Sequence, residues 1–488
     1  MPRPLEGRYT AMLACALFAL IPYILIVSGA SLFRQQVMHD IGVTRTGLSI
    51  VEGISIAGYC FGALLAGDLV NRYRQRHLFL IAEIIFIIGW LVVALAHGIY
   101  SYGAGRVLAG FATGTLLVTA LPPVVRRFGP DRVPLTAAFI NIAFFGATAA
   151  GPLLGGAVAF GHDWRWFYGA FAGLGVLTFV LALMSLPHVD PPNPEMRLDH
   201  TGLLLGFAGT VLPFWASGEL QAHGFASYLV AVPAGVGLAC FDALMLAEYH
   251  QDEPLSPIKK MWTTIPVCGT LIAMIGGGVF VTYVLLLIQL LIQVEHTSPL
   301  QAGLLFWPQV AGALITAALL GFLFRTRFLP LLAFAGMLLL IAGGILLTLY
   351  HSADGRSYLM ATVGLLGLGA GATVAPGLFL AGFSQQSMLL GRIFALIELV
   401  RSVADFILSP VLSKIAVMDS SAAPLTAAGV SEAMFLTLLI ASAGTVMIAA
   451  LYLLGGAGLP KPDLVGWITK NRAAIDSPRL LSTIRPSS

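Results

Sequence analysis

Three ionisable residues within one apolar stretch are placed to do chemistry: Glu398, Arg401 and Asp405. Their spacings of three and four put all of them on one face of an α-helix. At about 1.5 Å per residue, Arg401 falls near the middle of the stretch, with an acid about one turn to either side. Burying a charge in hydrocarbon is expensive, so each such residue is a functional candidate. Two readings stand. One is a self-neutralising structural triad; the other is a proton or substrate site whose carboxylates exchange Arg401. Two acids against one base let one carboxylate protonate without stranding the arginine. Glu52 and Arg106 sit inside two further apolar runs at similar depth, which predicts that they pair or share a network. Glu83 and Asp242 lie nearer the ends of their runs and are expected to snorkel to the interface.

Other chemistries find no residues. There is no G-x-x-x-x-G-K-[ST] loop for nucleotide, and no H-E-x-x-H or G-x-S-x-G lies within an apolar run. The four cysteines (Cys15, Cys60, Cys240, Cys268) all sit in apolar stretches, so neither a disulfide framework nor a thiolate metal site is indicated. The ten histidines fall in polar stretches or at segment ends, which argues against a histidine proton relay. A net charge of +3 is too small for a nucleic-acid surface. The expectation is no enzyme, no cofactor, no metal and no nucleic acid. A channel or a non-transporting sensor is left open by motifs alone.

The elements that must position these residues follow from composition. Of 488 residues, 58% are apolar and only 10% charged, against roughly 25% charged in a soluble protein. This is an integral membrane protein. A helix needs about 20 apolar residues to cross, and backbone satisfaction leaves helix or closed barrel. The runs are long and do not alternate, so they read as fourteen helices: 9–33, 47–70, 78–96, 99–125, 133–160, 165–187, 201–218, 225–248, 264–294, 299–324, 328–350, 357–383, 391–416 and 430–457. The first run is too long for a signal peptide and lacks a cleavage site, so it reads as a retained span. Of 26 Lys and Arg, 19 fall on the side of the termini, five on the other, and Arg106 and Arg401 lie inside spans. That asymmetry predicts cytoplasmic termini in a plasma (bacterial inner) membrane. The tail 458–488, with Trp467, Lys470 and Arg472, reads either as a short surface helix or as disordered.

Short motifs then stand out. The turn after the second span reads Gly67-Asp68-Leu69-Val70-Asn71-Arg72-Tyr73-Arg74-Gln75-Arg76. Taken plainly, its arginines anchor topology; they are also able to grip carboxylates or a helix C-terminus. It resembles the loop 2–3 signature of the major facilitator superfamily, G-x-L-x-D-R-x-G-R-R, through Gly67, Leu69, Arg72 and Arg76. Asn71 replaces the acid, Arg74 the second glycine and Gln75 an arginine, with Asp68 three residues upstream of Asn71 as a substitute carboxylate. Gly105-Arg106, Gly110 and Gly114 are similar to the family's fourth-span motif, whose arginine the resemblance links to proton transfer. Gly146, Gly151-Pro152 and Gly155-Gly156 resemble the fifth-span antiporter motif. Physically, such a helix bends and packs closely.

Trp164-Arg165-Trp166-Phe167, Leu198-Asp199-His200-Thr201-Gly202, Pro254-Leu255 and Ser298-Pro299-Leu300-Gln301-Ala302-Gly303 with Pro308 are similar to the 14-span drug:proton antiporter branch. A weak echo of the loop 2–3 motif runs from Gly321 to Arg327. The resemblance implies two pseudo-symmetric six-helix bundles, residues 1–187 and 264–457, with two helices inserted in 188–263 and a cytoplasmic tail from 458. A central cavity would open alternately to each side. The implied activity is proton-coupled export of amphiphilic small molecules or drugs by a monomer in the lipid bilayer. The alternative is proton-coupled transport of a lipid-like or anionic metabolite. Arg401 and Arg106 against few cavity acids favour the alternative. The branch usually carries an acid in its first span, the obvious device for holding a cationic drug or its exchanging proton, where this chain reads Ala19-Leu20-Ile21-Pro22-Tyr23.

Overall fold

The computed structural model describes residues 4–191, 193–195, 198–251, 257–418 and 425–483. Fourteen long helices run through it, numbered here α1 to α14. They are α1 (Tyr9–Ile41), α2 (Arg45–Arg72), α3 (Gln75–Ala94), α4 (Ile99–Arg127), α5 (Val133–Gly161), α6 (Trp164–Ser185), α7 (His200–His223), α8 (Tyr228–His250), α9 (Thr264–Val294), α10 (Pro299–Leu323), α11 (Leu329–Leu349), α12 (Gly355–Phe383), α13 (Leu390–Met418) and α14 (Ala427–Leu454). Thirteen are long and apolar enough to cross a membrane. The exception is α13, which carries Arg392, Glu398, Arg401, Asp405 and Lys414. Charge, not length, sets it apart.

Several motif residues turn out to start helices. Asp163, ahead of Trp164, accepts from Trp166 N; Asp199 accepts from Gly202 N; Ser298 accepts from Gln301 N. Each satisfies an otherwise orphaned N–H. Trp164 also donates from Nε1 to Asp40 at 2.8 Å, and Arg165 donates to Ala96 O at 2.8 Å. This motif therefore ties the ends of α1 and α3 to α6. The Pro254-Leu255 stretch lies outside the described residues.

α1 to α6 pack together, as do α9 to α14, while α7 and α8 pack on each other and α7 lies against α2 and α13. Two seams join the groups, α2 with α13 and α5 with α10. Close approach at the second seam rests on glycine: a Cβ on Gly156 would stand 2.6 Å from Pro299 O, and one on Gly303 2.6 Å from Pro152 O. Gly155 faces the other way, its Cβ position 2.2 Å from Gly29 O of α1. The glycines of the fifth-span motif thus hold α5 between α1 and α10.

Two expectations need correction. The first helix does not stop at Phe33 but continues to Ile41, where Gly42 closes it in the left-handed conformation. Arg34, assigned to a loop, therefore sits on α1. The tail is neither a surface helix nor loose over 459–483. Trp467 is fully buried in a short helix, Leu464–Thr469, and donates from Nε1 to Gln385 O at 2.9 Å. Ala474 N reaches Phe383 O at 2.7 Å, Thr264 N reaches Pro478 O at 3.0 Å, and Asn471 Oδ1 accepts from Met388 N at 3.1 Å. The segment is stitched to the ends of α9, α12 and α13. Trp467→Ala removes a buried aromatic, a change of about 3–5 kcal/mol in packed cores. Detergent-solubilised variant protein should melt several degrees below the parent; identical melting would show that the tail carries no packing energy.

Candidate substrate cavity and its charged residues

A cavity of about 250 Å³ lies between the two groups of helices, lined by α1, α2, α4, α5, α7, α9 and α13. Its floor is at Tyr59 and Glu398, its mouth at Arg34, Arg45 and Gln289, on the face opposite the termini. Most of the wall is apolar, with Ile24, Val27, Phe144, Phe145, Phe280 and Leu285 among its members. Phe144 and Phe145 enter from a π-helical segment, Ile142–Gly146, inside α5. Such a bulge re-aims side chains and is common at functional sites.

On α13, one helical face brings Glu398, Arg401 and Asp405 together at the floor. Arg401 Nε donates to Glu398 Oε2 at 3.1 Å and Nη2 bonds Glu398 Oε1, while Nη1 reaches Asp405 Oδ2 at 2.5 Å. Glu398 and Asp405 are buried. Desolvating these charges costs several kcal/mol each, offset only by good geometry; the fork of the guanidinium supplies it. The second acid is less complete: Asp405 Oδ1 is sealed without a hydrogen bond. Room for the triad comes from α9, where a Cβ on Gly278 would stand 3.2 Å from Asp405 Oδ1 and one on Gly277 3.2 Å from Arg401 Cδ.

The floor is shared across the seam. Tyr59 of α2 donates to Glu398 Oε1 at 3.0 Å. Tyr59 in turn stacks on Tyr23 of α1, with ring centroids 5.5 Å apart and planes at 14°. Beyond the floor, toward the termini, Gly67 lies against Ala395, its Cβ position 3.9 Å from the Ala395 side chain. α2 and α13 therefore close the cavity on that side.

Glu52 and Arg106 both line the cavity, but they are not an ion pair. Glu52 bonds Arg34 Nη2 at 2.5 Å, an option opened by the extra turns of α1. Arg106 is instead held between rings, its Cζ 5.7 Å from the centroids of both Tyr23 and Trp90. Glu83 is likewise corrected: it is fully buried and neither carboxylate oxygen has a hydrogen bond. It shares the inward face of α3 with Phe79, Phe86 and Trp90, a spacing visible in the sequence. Asp242, by contrast, is exposed on α8.

At the loop 2–3 motif, Asn71 Nδ2 donates to Gly67 O at 2.9 Å. Arg76 donates to Leu183 O at 3.0 Å, gripping the last turn of α6, and Arg74 bridges Asp190 at 2.9 Å. Asp68 is buried without a hydrogen bond on either oxygen, near enough to Arg72 and Arg392 to feel both charges. Arg72 lies over the Tyr73 ring at 5.8 Å. Residues missed at first are Arg34, Tyr23, Tyr59 and the Gly277-Gly278 pair. Only the Gly276-Gly277-Gly278 run carried a signal in the sequence.

Charge exchange checks the corrected pairing. Glu52→Arg places two guanidiniums together and should cost about 1 kcal/mol at this partly exposed position. Adding Arg34→Glu should restore thermal stability, while adding Arg106→Glu should not. Rescue by the second combination alone would overturn the assignment.

The comparisons with known proteins agree with this geometry. The family model described as Major Facilitator Superfamily matches residues 10–410. The chain is 27% identical over 371 residues to a "Multidrug resistance protein B homolog" of Mycobacterium tuberculosis, covering 74% of this chain and 67% of that one. It is 30% identical over 383 residues to the "Uncharacterized MFS-type transporter YubD" of Bacillus subtilis, covering 76% and 73%. Among solved structures, the proton:xylose symporter XylE of the major facilitator superfamily superposes with a TM-score of 0.61 at 10% identity, covering 91% of this chain and 96% of that one. It shows likeness of fold alone. A helical chain built around a central cavity, matched by the family model over most of its length, is a multi-pass membrane transporter rather than an enzyme, and it belongs to the major facilitator superfamily.

Proposed function

We propose that this secondary transporter exports amphiphilic small molecules in exchange for protons by alternating access. The carrying observation is the buried Glu398–Arg401–Asp405 triad on the cavity floor, with Tyr59 of the opposite bundle bonded to Glu398. Two carboxylates on one guanidinium leave one negative charge, which a single proton neutralises. Tyr59 couples that charge to the seam, because an ionised Glu398 accepts its hydroxyl better than a protonated one. Loading the proton thus weakens the bond that holds α2 to α13 and favours the other orientation. Loop charge supports cytoplasmic termini, and on that reading the cavity seen here faces outward. In that orientation substrate leaves and a proton enters. The names of the multidrug relatives support export, and a monomer in a bacterial inner membrane suffices for the mechanism.

Proteoliposomes carrying a pH-sensitive dye test the coupling, with a panel of anionic, neutral and cationic amphiphilic dyes as cargo. Glu398→Gln keeps the shape and leaves Tyr59 an amide oxygen to bond, as weakly as the protonated acid, but removes the exchangeable charge. Substrate-driven proton flux should fall at least about tenfold, the scale of losing a charge-assisted interaction of about 1.5–3 kcal/mol. Dye counterflow should persist. Undiminished proton flux would remove Glu398 from the mechanism.

A further inference from the structure

We propose that the cargo is an amphiphilic anion whose acidic group is taken by Arg106. This rests on the cavity being the substrate site, as above, and concerns the charge of what enters it. The charged residues lining the cavity are Arg34, Arg45, Arg106 and Arg401 against Glu52, Glu398 and Asp405. The acids are engaged. Glu52 is bonded by Arg34, and Glu398 and Asp405 hold Arg401 between them. The oxygen left over, Asp405 Oδ1, is buried beside Gly278 of α9, on the same carboxylate that already bonds Arg401. Among the described residues, Arg106 has no carboxylate within ion-pair distance, and Arg45 at the mouth has none either.

Arg106 is only 2% exposed, and its Nε and Nη1 are buried without a hydrogen bond, yet the residue lines the cavity. Leaving a buried guanidinium with donors unmade is costly. The two rings beside it give a cation–π interaction of order 1 kcal/mol, far short of replacing a carboxylate. The rings also fix the orientation of the head, so little ordering is lost when an anion docks. Around it, Ile24, Val27, Phe144, Phe145 and Phe280 offer an apolar wall for the body of the molecule. The matching ligand is an apolar body bearing a carboxylate, sulfonate or phosphate. A compact aromatic acid and a single-chain lipid acid share that chemistry.

Equilibrium binding without any gradient tests this independently of proton coupling. The full chain in zwitterionic nanodiscs is titrated calorimetrically with 2-naphthoate, with laurate, and with (2-naphthylmethyl)trimethylammonium. At least one carboxylate should bind about tenfold or more tighter than the ammonium, and which one does so identifies the body. Arg106→Gln should weaken the carboxylate about tenfold or more and leave the ammonium unchanged, with Arg106→Lys in between. An ammonium bound as tightly as both carboxylates, or an equal loss of both charges in Arg106→Gln, would overturn the proposal. Should Arg106→Gln aggregate, Glu52→Gln serves instead. It frees Arg34 and should tighten the carboxylate severalfold; weakening would overturn it. Carboxylate preference without proton-driven export would leave this inference standing and remove the antiport reading, and the reverse result would do the opposite.

Discussion

The centre of this molecule depends on holding one guanidinium, Arg401, charged at the cavity floor between two buried acids. A lone arginine there would be costly in the membrane interior. The two acids on the same helix face remove that cost locally, without help from any other helix, so α13 can span despite failing a simple apolarity test. The neutralisation is local to α13. The glycines of α9 provide space beside it, and Tyr59 reaches across the seam to Glu398.

The α5–α10 seam is built differently. There, backbone meets backbone through Gly156 and Gly303, an approach that any side chain would block. Dispersion over such a close contact is substantial and shape-specific, whereas the α2–α13 seam at the floor adds the Tyr59–Glu398 hydrogen bond to its packing. On the proposed antiport reading the first seam would act as the fulcrum and the second as the latch. The tail adds a further asymmetry, since its contacts gather the ends of α9, α12 and α13.

Legibility in the sequence followed the range of the physics involved. Helix number and order were readable because the length of an apolar run is a local property. The triad was readable for the same reason, its members lying within two turns. Helix ends were not: Arg34 and Asp40 look like loop residues, yet α1 continues past the apolar zone and uses both, in the pairs with Glu52 and Trp164. Partners far apart in the chain were invisible, as with Tyr59 and Glu398. Glu83 was misjudged by its distance from the helix end, although its register with Phe79, Phe86 and Trp90 pointed inward. Trp467 needed the folded ends of α12 and α13 before its burial had any meaning.

The missing acid of the first span and the unpaired state of Arg106 are best understood together. α1 offers no carboxylate along its membrane length; at the corresponding stretch it offers Tyr23, whose hydroxyl is hydrogen-bonded to Ser55 at 3.0 Å and whose ring lies beside Arg106. Tyr23 also stacks on Tyr59, which bonds Glu398. Arg106 and Arg401 thus stand at the two ends of a packed path of two tyrosine rings. An ion pair at Arg106 would have spent its charge within the first bundle. Aromatic contact leaves most of that charge available, and the same rings run on to the hydroxyl that touches the triad. On the proposed reading, a tyrosine in place of an acid would change the site twice, leaving one charge for a ligand and setting it in contact, ring by ring, with the other.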